Sequence, residues 1–282
     1  MTTTNICIIG AGPCGLMTAR AFQQAGIGFE VLEKHTDVGG LWDITNTGTP
    51  VYEAAHFISS RTLSGFPDYP MPDNYPDYPS QPQIDAYIKS FAKAYDLYPN
   101  IRFGMLVTDV QPSADGTWNV STSDGNTRNY QGVVCCNGPL WSANTPTLRG
   151  EFSGVIRHAQ TFKKSTEFQH KRILVVGGGN SGVDIACEAA TFADAAFLSI
   201  RRGYYFIPKY IFGKPADVFA AEGPKLPRKL EQWVFQKLLR LITGDQTKFG
   251  LPKARPQIIG VAPVTKFRYF QSFRPRQTSS QA

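Results

Sequence analysis

The apolar positions of this chain fall into two repeating patterns. Ile6 to Ile9 is an unbroken apolar run, as in a buried strand. A helix follows to about Ala25, and Phe29 to Leu32 is a second short apolar run that ends on Glu33. Residues 83–96 place Ile84, Tyr87, Ile88, Phe91 and Tyr95 on one helical stripe. Residues 101–135 alternate apolar and polar, with turn signals at Asp115-Gly116 and Asp124-Gly125, which predicts a β-meander. That stretch closes in Gly132 to Gly138, a buried strand with a glycine at its exit. The opening pattern then recurs: strand Ile173 to Val176, helix to about Thr191, strand Ala195 to Ile200. A last stripe, Leu230, Trp233, Val234, Leu238, Leu241 and Ile242, lies among Lys and Arg in residues 226–243. It fits packing on its own domain or on a subunit better than lying on a membrane. The whole predicts an α/β fold with two Rossmann-like units and a meander.

Each strand-to-helix junction carries GxGxxG: Gly10, Gly12 and Gly15, then Gly177, Gly179 and Gly182. In such a unit the first glycine permits the tight turn. The second admits a pyrophosphate to the backbone, and the third lets the helix lie close on the strand. The helix start offers free N–H groups to the phosphates. Glu33, 23 residues after Gly10, suits a ribose diol. In the second unit Arg201 and Arg202 stand in that place and suit a 2′-phosphate, so NADP is expected over NAD. Two unlike strand ends imply two unlike dinucleotides, FAD and NADP(H). Gly39-Gly40-Leu41-Trp42 fits a loop that approaches a flat ligand and covers it with an indole.

Composition narrows the classes. Of 282 residues 42% are hydrophobic and 18% charged, as in a soluble globular protein. The five cysteines, Cys7, Cys14, Cys135, Cys136 and Cys187, include no CxxC and read as reduced, buried thiols of a cytoplasmic protein. The missing CxxC argues against a thioredoxin-reductase-like flavoprotein. The net charge of +7 resides after Asp245, the last acidic residue, and over residues 1–245 basic and acidic side chains are equal in number. A nucleic-acid role for the body is therefore not indicated. The Pro-rich aromatic stretch 51–82 reads as a stiff packed loop, with some aromatics as candidates for a substrate entrance.

Between the two glycine motifs, Phe152, Gly154, His158 and Phe162 fit FxGxxxHxxx(Y/F). On its own terms His158 also fits a hydrogen-bonded linker residue. With this signature, residues 4–252 resemble the flavin-containing monooxygenases, and Phe162 in place of Trp points to the N- and S-oxygenating branch. The resemblance implies an FAD domain with an inserted NADP domain, each built on a three-layer sheet. It also implies reduction of FAD by NADPH, a C4a-hydroperoxide formed with O2, and oxygen transfer to an amine or sulfide. The alternatives are a catalytically silent nucleotide-binding fragment and an NADPH oxidase-type flavoprotein. The resemblance carries Gly10, Gly12, Pro13, Gly15, Glu33, Lys34, Gly40, Leu41, Trp42 and Val107 to the FAD side. It carries Gly177, Gly179, Asn180, Ser181, Gly182, Arg201 and Arg202 to the NADP side. Domain limits are expected at 1–148, 149–250 and 251–282. The expected partners are a small nucleophilic substrate and O2, with a homodimer as the candidate assembly and neither nucleic acid nor membrane.

Two departures stand out. The family's flavin-side Asn falls on Phe57-Ile58 when counted from Tyr52, leaving Ser59 or Ser60 as substitutes and no assigned catalytic side chain. The Ala-Thr-Gly-Tyr strand that completes the FAD sheet is absent, and the likeness stops near Lys253. The tail reads as truncation or frameshift. Codons for Ala254 to Pro263 exist that, read one base later, give a family-like Pro-Asp-His-Lys-Leu-Leu-Glu-Ser-His-Pro. An FAD domain incomplete at its C-terminus, with open sheet edges and weak flavin retention, is the expected consequence.

Overall fold

The computed structural model describes residues 6–147, 149–224 and 226–253. The tail expectation, which falls on residues 254–282, lies outside them. The chain runs β1 (Ile6–Ile9), α1 (Pro13–Ala25), β2 (Phe29–Leu32), α2 (Arg61–Ser64), α3 (Gln81–Ala94), β3 (Ile101–Arg102), β4 (Val107–Pro112), β5 (Trp118–Thr122), β6 (Thr127–Tyr130) and β7 (Gly132–Cys135). It continues with β8 (Arg172–Val176), α4 (Asn180–Phe192), β9 (Ala195–Ser199), the short pair β10 (Tyr210–Ile211) and β11 (Lys214–Pro215), α5 (Ala216–Glu222) and α6 (Arg228–Thr243). Two compact units result. One comprises the chain to His56, Gly65–Tyr75 and Pro79–Lys163; the other comprises Phe57–Ser64, Pro76–Tyr78 and the chain from Lys164.

In the first unit β3-β2-β1-β7 form a parallel sheet, with Ile6 level with Phe29 and Gly132. The expected meander is shorter than 101–135: only β4, β5 and β6 belong to it, while β3 and β7 join the parallel sheet. Alternation over so few residues does not reveal which sheet a strand enters. Cys7, Leu32, Val120 and Tyr130 form the core between sheet and meander. Helix α3 starts two residues before the expected boundary, because Pro82 is tolerated in a first turn and Ser80 with Gln83 forms a capping box. Its stripe, Ile84, Tyr87, Ile88 and Phe91, is buried. Phe66 and Tyr69 pack on it, with Phe66 and Phe91 ring centroids 4.1 Å apart. These aromatics of the Pro-rich loop are half-buried against the helix.

The linker segment up to Lys163 stays with the first unit, past the division expected at 148/149. Phe162 is buried against the Tyr52 ring at 5.4 Å, and the Lys163 ammonium donates to the carbonyls of Thr49 and Val51. Gln160 Nε2 donates to the carbonyls of Gly48 and Trp141, each at 3.0 Å. His158 caps the adjoining short turn by accepting from Gln160 N at 3.2 Å, the linker role open to it from sequence. Two cysteines depart from expectation: Cys14 in the first turn of α1 and Cys135 at the end of edge strand β7 are exposed, whereas Cys7, Cys136 and Cys187 are buried.

In the second unit β8 and β9 pair in parallel, Arg172 with Ala195 through Val176 with Ser199. Val183 and Cys187 of α4 pack with Phe206. Alternate strand residues Leu174, Val176 and Phe197 are exposed. The segments 57–64 and 76–78 seat on residues 209–217. Tyr78 Oη donates to the Lys209 carbonyl, and Ser60 N donates to Asp217 Oδ2 at 2.6 Å. On α6 Leu239 is buried, but Leu230, Trp233, Val234, Leu241 and Ile242 are exposed, so of the two expected settings their own unit does not cover them. No helix among the described residues is long and apolar enough to cross a membrane.

One ammonium fastens α3 to the loop after β2. Lys89 Nζ lies 2.9 Å from Asp43 Oδ2, 2.9 Å from Asp85 Oδ2 and 3.4 Å from Asp37 Oδ2. Burial pushes the Asp43 carboxyl up, but hydrogen bonds from Thr45 and Lys89 outweigh it and hold the group below its ordinary range. Burial raises Asp85, and Lys89 does not offset it. A carboxyl depressed in the folded state stabilises above its unfolded pKa of about 4, and that stability is lost as pH falls through the folded value. Lys89→Met should therefore destabilise by about 2 kcal/mol at pH 7, a partly exposed version of a broken buried pair. The difference from wild type should shrink as Asp85 and then Asp43 protonate. Urea unfolding at pH 7 and pH 3.5 checks this; an equal loss at both would contradict it.

Candidate nucleotide-binding loops

The two glycine loops have the same backbone. Gly10 and Gly177 have φ of +102° and +112°, the left-handed side that favours glycine. Gly12 and Gly179 precede α1 and α4 with φ of −74° and −75° and extended ψ. Gly15 and Gly182 lie directly on the carbonyl oxygens of Gly10 and Gly177, so a side chain at either would push helix from strand. A Cβ on Gly10 would also sit 2.7 Å from the Cys136 carbonyl oxygen. The protein itself therefore requires the first and third glycines.

The middle glycines differ. A Cβ on Gly179 would meet nothing within 4 Å, and one on Gly12 would come no closer than 3.5 Å, to Gly40 Cα. Neither φ nor packing demands glycine there. Both helices also start without a side-chain cap and without an acidic residue in the first turn, unlike α3 with its capping box. Their first amides are left for a ligand that is anionic and close to the backbone. The residues thus fit a pyrophosphate at each loop, by a cradle that a Cβ would fill.

Around the first loop the structure gathers most of the FAD-side residues. Glu33 is buried, and its carboxylate accepts from Ala11 N at 2.6 Å and His35 N at 2.9 Å, one bond per oxygen. Each oxygen keeps a second lone pair, as a diol needs. Gly40, at φ +60°, approaches so closely that its Cβ would lie 2.9 Å from Gly12 Cα and 3.7 Å from Pro13 Cδ. Leu41 and Trp42 complete the same short turn. Two residues lie elsewhere: the Lys34 ammonium sits 3.5 Å from the Trp141 ring centroid, and Val107 packs on the Cys7–Tyr130 core.

Sequence reasoning missed the side chains that hold this turn. Asn46 Nδ2 donates to the Gly40 carbonyl at 3.0 Å, Thr49 Oγ1 to the Leu41 carbonyl at 2.5 Å, and Gln81 Nε2 to the Trp42 carbonyl at 2.6 Å. All three residues are buried. Only Gln81, two residues before the expected start of α3, lay near a structural signal.

In the second unit Gly177 N donates to the Ser199 carbonyl at 2.9 Å, and a Cβ on Gly178 would lie 2.8 Å from Ile200. Asn180 opens α4 with a buried Oδ1 that has no partner among the described residues; Ser181 beside it is exposed. Arg201 and Arg202 are exposed just past β9, Arg202 stacking 5.5 Å from the Tyr204 ring. Of the two serines weighed against the missing Asn, Ser59 Oγ pairs with Ser64 Oγ at 2.6 Å. Ser60 is fully buried, and its Oγ has no partner among the described residues. Among those residues no His, Cys, Asp and Glu group could hold a metal.

Comparison with known proteins agrees with this geometry. Human flavin-containing monooxygenase 5 is 32% identical over 283 residues, covering 90% of this chain and 52% of its own length. The probable indole-3-pyruvate monooxygenase YUCCA9 of Arabidopsis thaliana is 30% identical, covering 89% and 59%. The chain thus spans about half the length of these relatives. In fold it resembles cyclohexanone monooxygenase, with a TM-score of 0.71 at 19% identity over 98% of this chain and 66% of that one. A flavin-containing monooxygenase from Stenotrophomonas maltophilia gives 0.65 at 22% identity over 84% and 68%. The family model described as flavin-binding monooxygenase-like matches residues 3–254, and with both glycine loops inside that span the chain belongs to the flavin-binding monooxygenase-like family.

Proposed function

We propose that the first unit binds FAD and the second NADP(H), in the service of an NADPH- and O2-dependent oxygenation of a soft nucleophile, an amine nitrogen or a sulfide. The observation that carries this reading is the pair of middle glycines, Gly12 and Gly179, which no part of the protein requires. One solved relative in fold, OTEMO, forms a crystalline complex with FAD and NADP; it is 25% identical over 73% of this chain, with a TM-score of 0.59.

The start of α1 would hold the FAD pyrophosphate, Glu33 the ribose diol, and the Gly40–Trp42 turn would close over that nucleotide. The start of α4 would hold the NADP pyrophosphate, and Arg201 with Arg202 the 2′-phosphate, which guanidinium groups grip in two-pronged fashion. Bound flavin supplies the redox chemistry between nicotinamide and O2, which no side chain can perform. The chain's own contribution is to position the two nucleotides and keep water from them. Neither Ser59 nor Ser60 is given a catalytic role. Nucleotide binding without turnover is the second reading, favoured by the exposed Leu174, Val176 and Phe197 on the β8–β9 pair. Parallel sheets of working α/β enzymes are covered on both faces.

The direct test adds FAD and NADPH to the purified chain. A flavin spectrum, NADPH oxidation, O2 uptake and stoichiometric oxygenated product support oxygenation. Binding alone supports the second reading, and peroxide without product an oxidase. Gly12→Ala should change stability by less than about 1 kcal/mol yet weaken FAD binding at least about tenfold; Gly179→Ala should do the same for NADP+. Urea unfolding and calorimetric titration check both, and unchanged affinity would remove the main support. Replacing Arg201 and Arg202 by Ala should weaken NADP+ by about 10- to 100-fold and NAD+ by less than about threefold. Equal losses for the two cofactors would refute the 2′-phosphate assignment.

A further inference from the structure

We propose that Asn46, Thr49 and Gln81 are positioning residues for the dinucleotide of the first unit, acting through the turn they hold. This rests on the FAD reading above. The three carbonyls of Gly40, Leu41 and Trp42 are consecutive, and each is taken by a different side chain, at 3.0, 2.5 and 2.6 Å. These side chains belong to residues only 3%, 1% and 4% exposed. Burying three polar groups is unfavourable unless each is satisfied, and here each is satisfied by the same turn.

The consequence lies on the other side of the turn. In a short 3₁₀ turn carbonyls and amides point in opposite directions. With all three carbonyls held by the protein, the amides face away. Gly39 N donates to the Ala11 carbonyl and Trp42 N to the Gly39 carbonyl, both at 3.2 Å. The amides of Gly40 and Leu41 have no acceptor among the described residues. The Gly40 amide stands beside Gly12, since Gly40 and Gly12 meet closely with no room for a Cβ on Gly40, and the Leu41 amide is the next along the chain. Two fixed donors next to an uncapped helix start form one continuous donor surface, suited to the acceptor atoms of a single ligand. Thr49 is the keystone by chemistry, because its hydroxyl also accepts from Val51 N at 3.4 Å and so ties the turn to the next segment.

The test uses the full chain with Thr49→Val, Gln81→Met and the conservative Thr49→Ser. Affinities for FAD and for NADP+ are measured separately, NADP+ reporting on the second unit. Thr49→Val and Gln81→Met should each weaken FAD about tenfold and leave NADP+ within about twofold, while Thr49→Ser stays within about twofold of wild type for both. Wild-type FAD affinity in Thr49→Val or Gln81→Met overturns the proposal, and so does a parallel loss for both nucleotides, which marks general destabilisation. If Thr49→Val does not fold, Gln81→Met and Thr49→Ser decide the question by the same two affinities. A wild-type chain that binds NADP+ but no FAD brings down the FAD reading itself, and the positioning role with it.

Discussion

A nucleotide's pyrophosphate carries its charge on oxygens that main-chain amides at a helix start can approach closely, and this chain keeps two sets of such amides unclaimed. The starts of α1 and α4 have no side-chain cap, and a Cβ on the glycine before each would clash with nothing, meeting open space at Gly179 and only ordinary contact with Gly40 at Gly12. Helix starts ordinarily satisfy their amides with a nearby hydroxyl or carboxylate, as Ser80 and Gln83 do for α3. Leaving two starts bare lowers the stability of the free protein in exchange for anion binding. The remaining glycines serve the fold, through positive φ at Gly10 and Gly177 and close helix packing at Gly15 and Gly182.

What surrounds the two starts is unequal. The first is braced on every side: Glu33 holds Ala11, Gly40 abuts Gly12, and three buried side chains hold the turn that follows. Lys89 links that loop to α3 through Asp43. The second has Gly178 wedged against Ile200 and an Asn180 oxygen without a partner among the described residues, and its strand pair leaves Leu174, Val176 and Phe197 exposed. The two starts thus differ in how much of their surroundings the protein itself supplies.

The two opening strands were legible to the residue and the helix between them by its end, because Ile6–Ile9 and Phe29–Leu32 are short apolar runs punctuated by glycines of known purpose. The second unit was legible for the same reason. Less local features were not. Ile101–Arg102 looked like part of the meander, because two residues cannot show which sheet they join. The exposure of Cys14 and Cys135 depends on position within the fold, on a first helical turn and an edge strand, which composition does not report. Asn46 and Thr49 sit in a loop of ordinary polar residues, and Lys89 reads as one more solvated helix cation. Their meaning comes from partners brought close only by the fold. The α6 stripe shows the converse: helical amphipathicity was plain, but not that its own unit leaves it uncovered.

The central claim is that the two loops take two unlike nucleotides, and amide hydrogen exchange on the full chain tests it most directly. FAD added alone should slow exchange at Ala11, Gly12, Cys14, Gly40 and Leu41 and leave Gly177–Gly182 unchanged. NADP+ added alone should do the reverse. Protection of one loop by both nucleotides, or of neither loop by either, would contradict the account.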